Sequence, residues 1–345
     1  MIRRYCFILI FVVTTVSLFG QAGKDTYQFL NLPTSARIAA FGLSNVSLRD
    51  SDINFSFQNP ALLTAKTHNM LSLNYASYLA GINFGSAIYG RNFGKKNYMA
   101  FGIHYIDYGT FLETDVTDQV LGEFTAKDFA INIMYARQLP KGFTVGATLK
   151  PIYSVYERYT SFGVALDLGA NYTNDSIMFS AGLAIRNLGF QFTGYYSIDG
   201  QQHRESLPLD IQLGISQKLW HAPLRFSMTI HNIQQWDLGF RKEEAGEEVV
   251  STNSKAADII DMMFRHTIFT IEILPTKNFY IVASYNHRRR MEMNVPDFKT
   301  AAGFSFGAGI KIYKFHVGFS LTPYQVGNLS YHFTLSTGLS EFGVK

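Results

Sequence analysis

The sequence predicts an all-β fold: a transmembrane antiparallel β-barrel of about 14 strands with an N-terminal segment plugging its lumen. Three observations carry this. The chain is rich in aromatic residues (15%, with Phe 30 and Tyr 20) and in Gly (28), yet only 16% charged, against about 25% in ordinary soluble domains. Mean hydropathy is near zero, and no apolar run of about 20 residues occurs beyond the extreme N-terminus, so helical membrane spans are excluded. From Leu71 onward the apolar residues recur with period two, the mark of strands with one greasy face.

Arg3 and Arg4, the apolar stretch from Phe7 to Phe19 and the small-residue site Gly20-Gln21-Ala22 read as a cleaved signal peptide over 1–22, with the mature chain starting at Gly23. Its removal takes the formal charge from +4 to +2, too little for nucleic-acid binding. Cys6 is the only cysteine and lies inside this signal. The mature chain would therefore lack disulfides, a thiolate nucleophile and cysteine metal sites, consistent with export.

Residues 23–68 do not alternate and are assigned to the plug, because a barrel this wide needs lumenal filling. Residues 69–345 form the barrel. Its strands are expected near 69–77, 82–92, 98–108, 126–138, 143–155, 161–172, 178–190, 207–219, 224–236, 265–274, 279–289, 301–312, 315–322 and 329–339. Most approach the 9 to 11 residues of a bilayer crossing and exceed the 5 to 6 of a typical soluble strand. Met99, Phe101, Ile103 and Tyr105 alternate with Ala100, Gly102 and His104; Phe143, Val145, Ala147 and Leu149 alternate with Thr144, Gly146, Thr148 and Lys150. Short turns alternate with longer connections at 109–125, 191–206, 237–264 and 290–300, which are expected on the outer surface. Gly307-Ala308-Gly309 falls within a strand pattern with no helix after it, so it reads as a small strand face against the plug and not as a dinucleotide loop.

The charged residues Asp107, Asp128, Lys150, Asp167 and Arg186 lie at or near strand interiors. A basic residue exposed to lipid at midplane costs about 2–4 kcal/mol, so this set is expected to face the lumen. His104, His316 and His332 fall on the polar face of their strands, but no serine elbow, zinc-type helix or paired-carboxylate pattern accompanies them. The expectation is a non-enzymatic protein with no catalytic residue, no cofactor and no metal.

Three further features stand out. Asn59-Pro60-Ala61 reads as a structural plug element, since Pro60 restricts Asn59 to extended backbone and the Asn amide can cap neighbouring groups. The connection after Leu238 carries Glu243, Glu244, Glu247 and Glu248, then a short helix over 256–264 with Ile259, Ile260, Met263 and Phe264 on one face. It is either a partner-docking loop or a helix packed back on the barrel rim. Arg288, Arg289 and Arg290 form a basic rim that could take lipopolysaccharide phosphates or an acidic partner, or simply be solvated.

The stretch Ala36-Arg37-Ile38-Ala39-Ala40-Phe41-Gly42, with Asp50, Asp52 and Phe57-Gln58-Asn59-Pro60-Ala61-Leu62-Leu63, resembles the N-terminal segment of FadL-like outer-membrane barrels. More narrowly, the run Thr26 to Arg37 and Leu149-Lys150-Pro151-Ile152-Tyr153-Ser154 are similar to PorQ- and PorV-type barrels of the Bacteroidota type IX secretion system. That resemblance implies a fourteen-stranded barrel in the cell outer membrane. It also implies partners like PorZ, PorU and PorV, in a surface complex that processes secreted cargo and links it to lipopolysaccharide. The FadL-like features alone imply an alternative, a channel for uptake of hydrophobic molecules.

Overall fold

The structure, a computed structural model, describes residues 25–79, 81–198, 201–238, 255–293, 301–325 and 328–343. The proposed signal over 1–22, and Glu243, Glu244, Glu247 and Glu248, lie outside the described residues.

Fourteen strands close into one antiparallel barrel in sequence order. They are β1 (Met70–Ser77), β2 (Asn83–Phe93), β3 (Asn97–Thr114), β4 (Val120–Gln138), β5 (Phe143–Tyr156), β6 (Tyr159–Asn174) and β7 (Phe179–Thr193). The second half comprises β8 (Asp210–Lys218), β9 (Leu224–Ile230), β10 (Thr267–Thr276), β11 (Phe279–Asn286), β12 (Phe304–Ile312), β13 (Phe315–Gln325) and β14 (Asn328–Gly338). The seam is β1 against β14, registered from Met70↔Gly338 to Ser77↔Tyr331. Closure gives every strand a neighbour on both sides within the barrel wall, which a backbone in lipid requires. A separate ladder pairs Ser197–Ile198 with Gln201–Gln202 in the connection after β7.

Alternation decides which side chains meet lipid. On β5, Phe143, Val145, Leu149 and Tyr153 stand 42–48% exposed on the outer face, while Thr144, Thr148, Lys150, Ile152 and Ser154 are buried inside. The same parity puts Asp128, Lys150, Asp167, Arg186, His104 and His332 in the lumen, with His316 half-buried. Asp107 departs from the expectation. It shares the outer face with Tyr105, whose hydroxyl donates to it at 2.9 Å, and it pairs with Lys127 at 3.7 Å. Its cross-strand neighbour Asn83 is the terminal residue of β2. At that height it meets the membrane margin rather than the hydrocarbon centre, so the midplane cost does not apply.

Strand ends also shift. β9 stops at Ile230, ahead of Asn232 in the left-handed region, instead of running to 236. β11 stops at Asn286, whose side chain caps a helix, α3 (His287–Glu292), by accepting from the Arg289 amide at 3.2 Å. The connection at 109–125, expected as a loop, is a continuation of β3 and β4. A bulge at Gly109 (φ 86°) interrupts the register, Phe111 then pairs with Phe124, and Asp115 Oδ1 closes the tip by accepting from the Thr117 and Gln119 amides.

Residues 25–69 thread the lumen. Of five short helical turns there, the one at Gln28–Asn31 lacks a side-chain cap and the other four start at a polar cap. Ser35 opens α1 (Ala36–Ala40), Asp52 a turn at Ile53–Phe57, Asn59 one at Pro60–Leu62 and Thr64 one at Ala65–Thr67. Each cap satisfies amides that a strand would have paired, and this local bonding is why the segment lacks strand periodicity.

Candidate functional site

Among the described residues, the lumen includes two polar constructions and an apolar contact surface between plug and wall. The first is an ion cluster toward the short-turn end. Arg37 of α1 places Nη2 2.7 Å from Glu272 on β10 and 2.8 Å from Asp50, with Nη1 3.4 Å from Asp52. Arg225 on β9 adds a contact to Glu272 at 2.6 Å and to Asp50 at 3.5 Å. The Arg37 guanidinium also lies 4.7 Å from the Tyr280 ring centroid and 5.3 Å from that of Phe55, a desolvated cation–π setting. Burial pushes both plug carboxyls up. At Asp50 the two guanidinium groups overcome it and hold the group below its ordinary range, whereas at Asp52 burial and the Asp50 charge outweigh Arg37 and the group stays raised. α1 is thus locked to the wall by charge-assisted bonds that cross from plug to barrel.

The apolar contact is built on small wall residues. A Cβ at Gly102 would lie 2.7 Å from the Phe57 ring, one at Gly146 2.8 Å from the Pro60 carbonyl carbon, and one at Gly307 2.6 Å from Ala40. At Gly169 and Gly182 it would run into Asn59 and the Val46 carbonyl. Asn59 is fully buried there. Its Nδ2 donates to the carbonyls of Val46 at 2.8 Å, Ala170 at 3.2 Å and Leu183 at 3.3 Å, and its Oδ1 accepts from the Ala61 amide at 3.0 Å. Pro60 and Ala61 are buried beside it.

The second polar construction is a cup at the long-loop end, with a cavity volume of about 650 Å³. Asp25, Gln28 and Asn31 of the plug, Arg186 and Asp210 of the wall, and Arg288, Arg289 and Glu292 of α3 contribute to its lining. Arg288 pairs with Glu292 at 2.6 Å, and Arg289 stacks 4.1 Å over the Tyr324 ring. Arg186 donates to the Leu30 carbonyl at 3.2 Å. Deeper in the wall, Lys150 pairs with Asp167 at 2.5 Å and donates to Asn187 at 3.0 Å.

Two of the three rim arginines, Arg288 and Arg289, therefore turn into the cup, on a helix and not on a strand end. Ile259, Ile260, Met263 and Phe264 lie on α2 (Lys255–Arg265), outside the cup, with their side chains exposed. The helix itself is seated on the rim through Asp261, which pairs with His287 at 2.9 Å, and through Phe264, whose ring lies 5.8 Å from that of His287, while Ile259, Ile260 and Met263 face outward. Sequence reasoning missed Arg225 and Glu272. The available signal was a lone charge flanked by apolar neighbours, Leu224-Arg225-Phe226 and Ile271-Glu272-Ile273, on the lumenal parity of a strand.

No protein-family model matches the chain, and no curated protein does. Solved structures do. The toluene transporter TbuX of Ralstonia pickettii superposes with a TM-score of 0.54 at 11% identity, covering 91% of this chain and 100% of its own. The Pseudomonas putida toluene transporter TodX gives 0.51 at 11% identity, over 88% of this chain and 96% of its own. A Pseudomonas aeruginosa FadL homologue gives 0.50 at 11% identity, over 88% and 97%. The fold is FadL-like. Within this FadL-like barrel, the ion cluster and the Asn59 seat are the points at which the lumenal segment is fastened, and the cup is the solvent-facing space above it.

Proposed function

We propose that this FadL-like barrel resides in the outer membrane after removal of residues 1–22, and works there as a non-enzymatic scaffold of the type IX attachment machinery. The resemblance of the run from Thr26 to Arg37 motivates the assignment. The observation that carries it is the distribution of apolar surface. The cup mixes charged side chains, Arg186, Asp210, Arg288 and Glu292 among them, with apolar ones such as Leu32, Leu43, Leu207 and Ile268, whereas sites for small apolar ligands are mostly lined by hydrophobic side chains with only a few polar groups. Large apolar side chains inside the lumen are buried between plug and wall, as at Phe29, Leu30, Phe84 and Ile152, whereas at the protruding β3–β4 hairpin Leu112, Val120 and Leu121 are 60–65% exposed. Beyond Asp107, β3 runs seven more residues, on the order of 24 Å of extended chain, so this surface stands clear of the barrel margin. PorZ-, PorU- and PorV-like proteins and lipopolysaccharide are the partners this reading names.

A second reading is uptake of hydrophobic molecules, and the comparisons favour it over the first, since TbuX and TodX are toluene transporters and TodX a monoaromatic hydrocarbon channel. Deleting the protein separates the two. A scaffold predicts cargo released unattached to the cell surface with toluene uptake intact. Intact attachment with reduced toluene uptake would select the channel.

A further inference from the structure

The helix α2 is mounted with its apolar face away from the protein. Ile259, Ile260, Met263 and Phe264 share one side and are 43–57% exposed. The opposite side carries Asp261 and Arg265, paired with each other at 2.6 Å, and Asp261 is joined to His287 of α3 at 2.9 Å. The Arg265 side chain retains only 14% of its exposure. An amphipathic helix on a water-soluble surface is oriented the other way, with its apolar stripe against the core.

The exposed face is continuous with the lipid-facing wall. Phe264 lies 6.2 Å, ring to ring, from Phe269, the first outward apolar side chain of β10, and the Thr267 hydroxyl donates to the Met263 carbonyl at 2.9 Å, fixing the last turn onto the strand. Trp236, 60% exposed, stacks against His266 at 5.7 Å just beside that junction. An aromatic belt at this height is characteristic of a membrane–water boundary.

We propose that α2 is an interfacial helix whose Ile260–Met263–Phe264 face is seated in the acyl-chain layer of the leaflet at the long-loop end. Its polar face clamps α3, and with it Arg288 and Arg289 of the cup, to the barrel wall. The surface was a candidate protein dock on sequence grounds; its continuity with Phe269 commits it to lipid instead. Such a helix buries its apolar side in the interface while its charged side stays polar-facing.

The inference rests on the barrel spanning a membrane, and the test separates the two. In the full chain with Cys6→Ser, the variants Ile260→Cys, Met263→Cys, Asp258→Cys and Ile271→Cys are each labelled with a nitrobenzoxadiazole probe. They are reconstituted in phosphatidylcholine vesicles containing lipids brominated near the headgroup end of the chain. Ile271 is on the outer face of β10 and reports the barrel itself. Quenching by bromolipid at 260 and 263 as strong as at 271, with 258 quenched by aqueous iodide, is expected. Quenching at 271 with iodide quenching at 260 and 263 would overturn the proposal while keeping the barrel. Quenching of 260 and 263 by neither agent would overturn it in favour of a protein cover. Loss of quenching at 271 would overturn the membrane reading on which it rests.

Discussion

Replacing Arg37 by Met should undock the plug without opening the barrel wall. Among the described residues, two guanidinium groups face three carboxylates in the cluster, and Arg37 contacts all three. Met keeps most of the apolar stem, so packing against Phe41 and Phe55 is largely retained while the charge is lost. Arg225 then stands alone against Asp50, Asp52 and Glu272, and the Glu272 side chain is only 1% exposed. Removing one partner of a buried pair costs about 3–5 kcal/mol. At about 1.36 kcal/mol per tenfold, the open fraction of the plug should rise by roughly two to four orders of magnitude. Hydrogen exchange of amides 36–41 and 53–57 in detergent, in the regime where exchange follows the opening equilibrium, reads this directly. The amides of β5 and β6 serve as the internal control and should keep their protection. A change of less than tenfold at 36–41 would refute the view that the ion cluster holds the plug.

Two other perturbations follow from the same geometry. Asp50 is held below its ordinary carboxyl value of 3.8, so its contribution is present above that value and is lost as pH falls through the still lower folded one; Asp52 is raised, so its ionised form opposes docking at neutral pH and that opposition fades as pH falls through its folded value. Asp50→Asn should therefore loosen the plug at pH 7, whereas Asp52→Asn, which keeps an oxygen to cap the Asn54 amide, should leave protection unchanged or raise it; equal loosening by both would contradict this assignment. Gly182→Ala should cost about 1–3 kcal/mol through overpacking against the Val46 carbonyl, seen as a lower urea midpoint for loss of heat-modifiable gel migration, and an unchanged midpoint would show that the plug does not press on β7 there.

Much of the barrel was legible because a closed sheet in lipid imposes one rule on every strand. Apolar residues at alternate positions, as in Phe143 to Leu149, have no other economical placement, and the strand count follows from repeating that pattern. The ends were less legible, since Asn232 and Asn286 stop their strands through left-handed backbone and capping, which are local chemistry independent of the alternation. Asp107 misled because charge was set above parity: it continues the outward series Met99, Phe101, Ile103 and Tyr105, and only its place at the strand end, beside Lys127, makes that face tolerable. The ion cluster was half visible: Arg37, Asp50 and Asp52 stood in the N-terminal stretch, but their meeting with Arg225 and Glu272 depends on a fold-back of more than 170 residues. The helix at Ile259 to Phe264 was correctly amphipathic, yet amphipathicity does not say which face meets the protein.

The proposal that this plugged FadL-like barrel holds surface proteins, rather than carrying hydrophobic solutes, is tested most directly by affinity purification of the tagged chain from outer membranes in native detergent. A scaffold should co-purify with PorZ-, PorU- or PorV-like surface proteins in fixed proportion, and lose them when the β3–β4 hairpin is trimmed between 111 and 124. Recovery of the barrel alone, together with loss of toluene uptake in cells that lack it, would contradict a scaffold role.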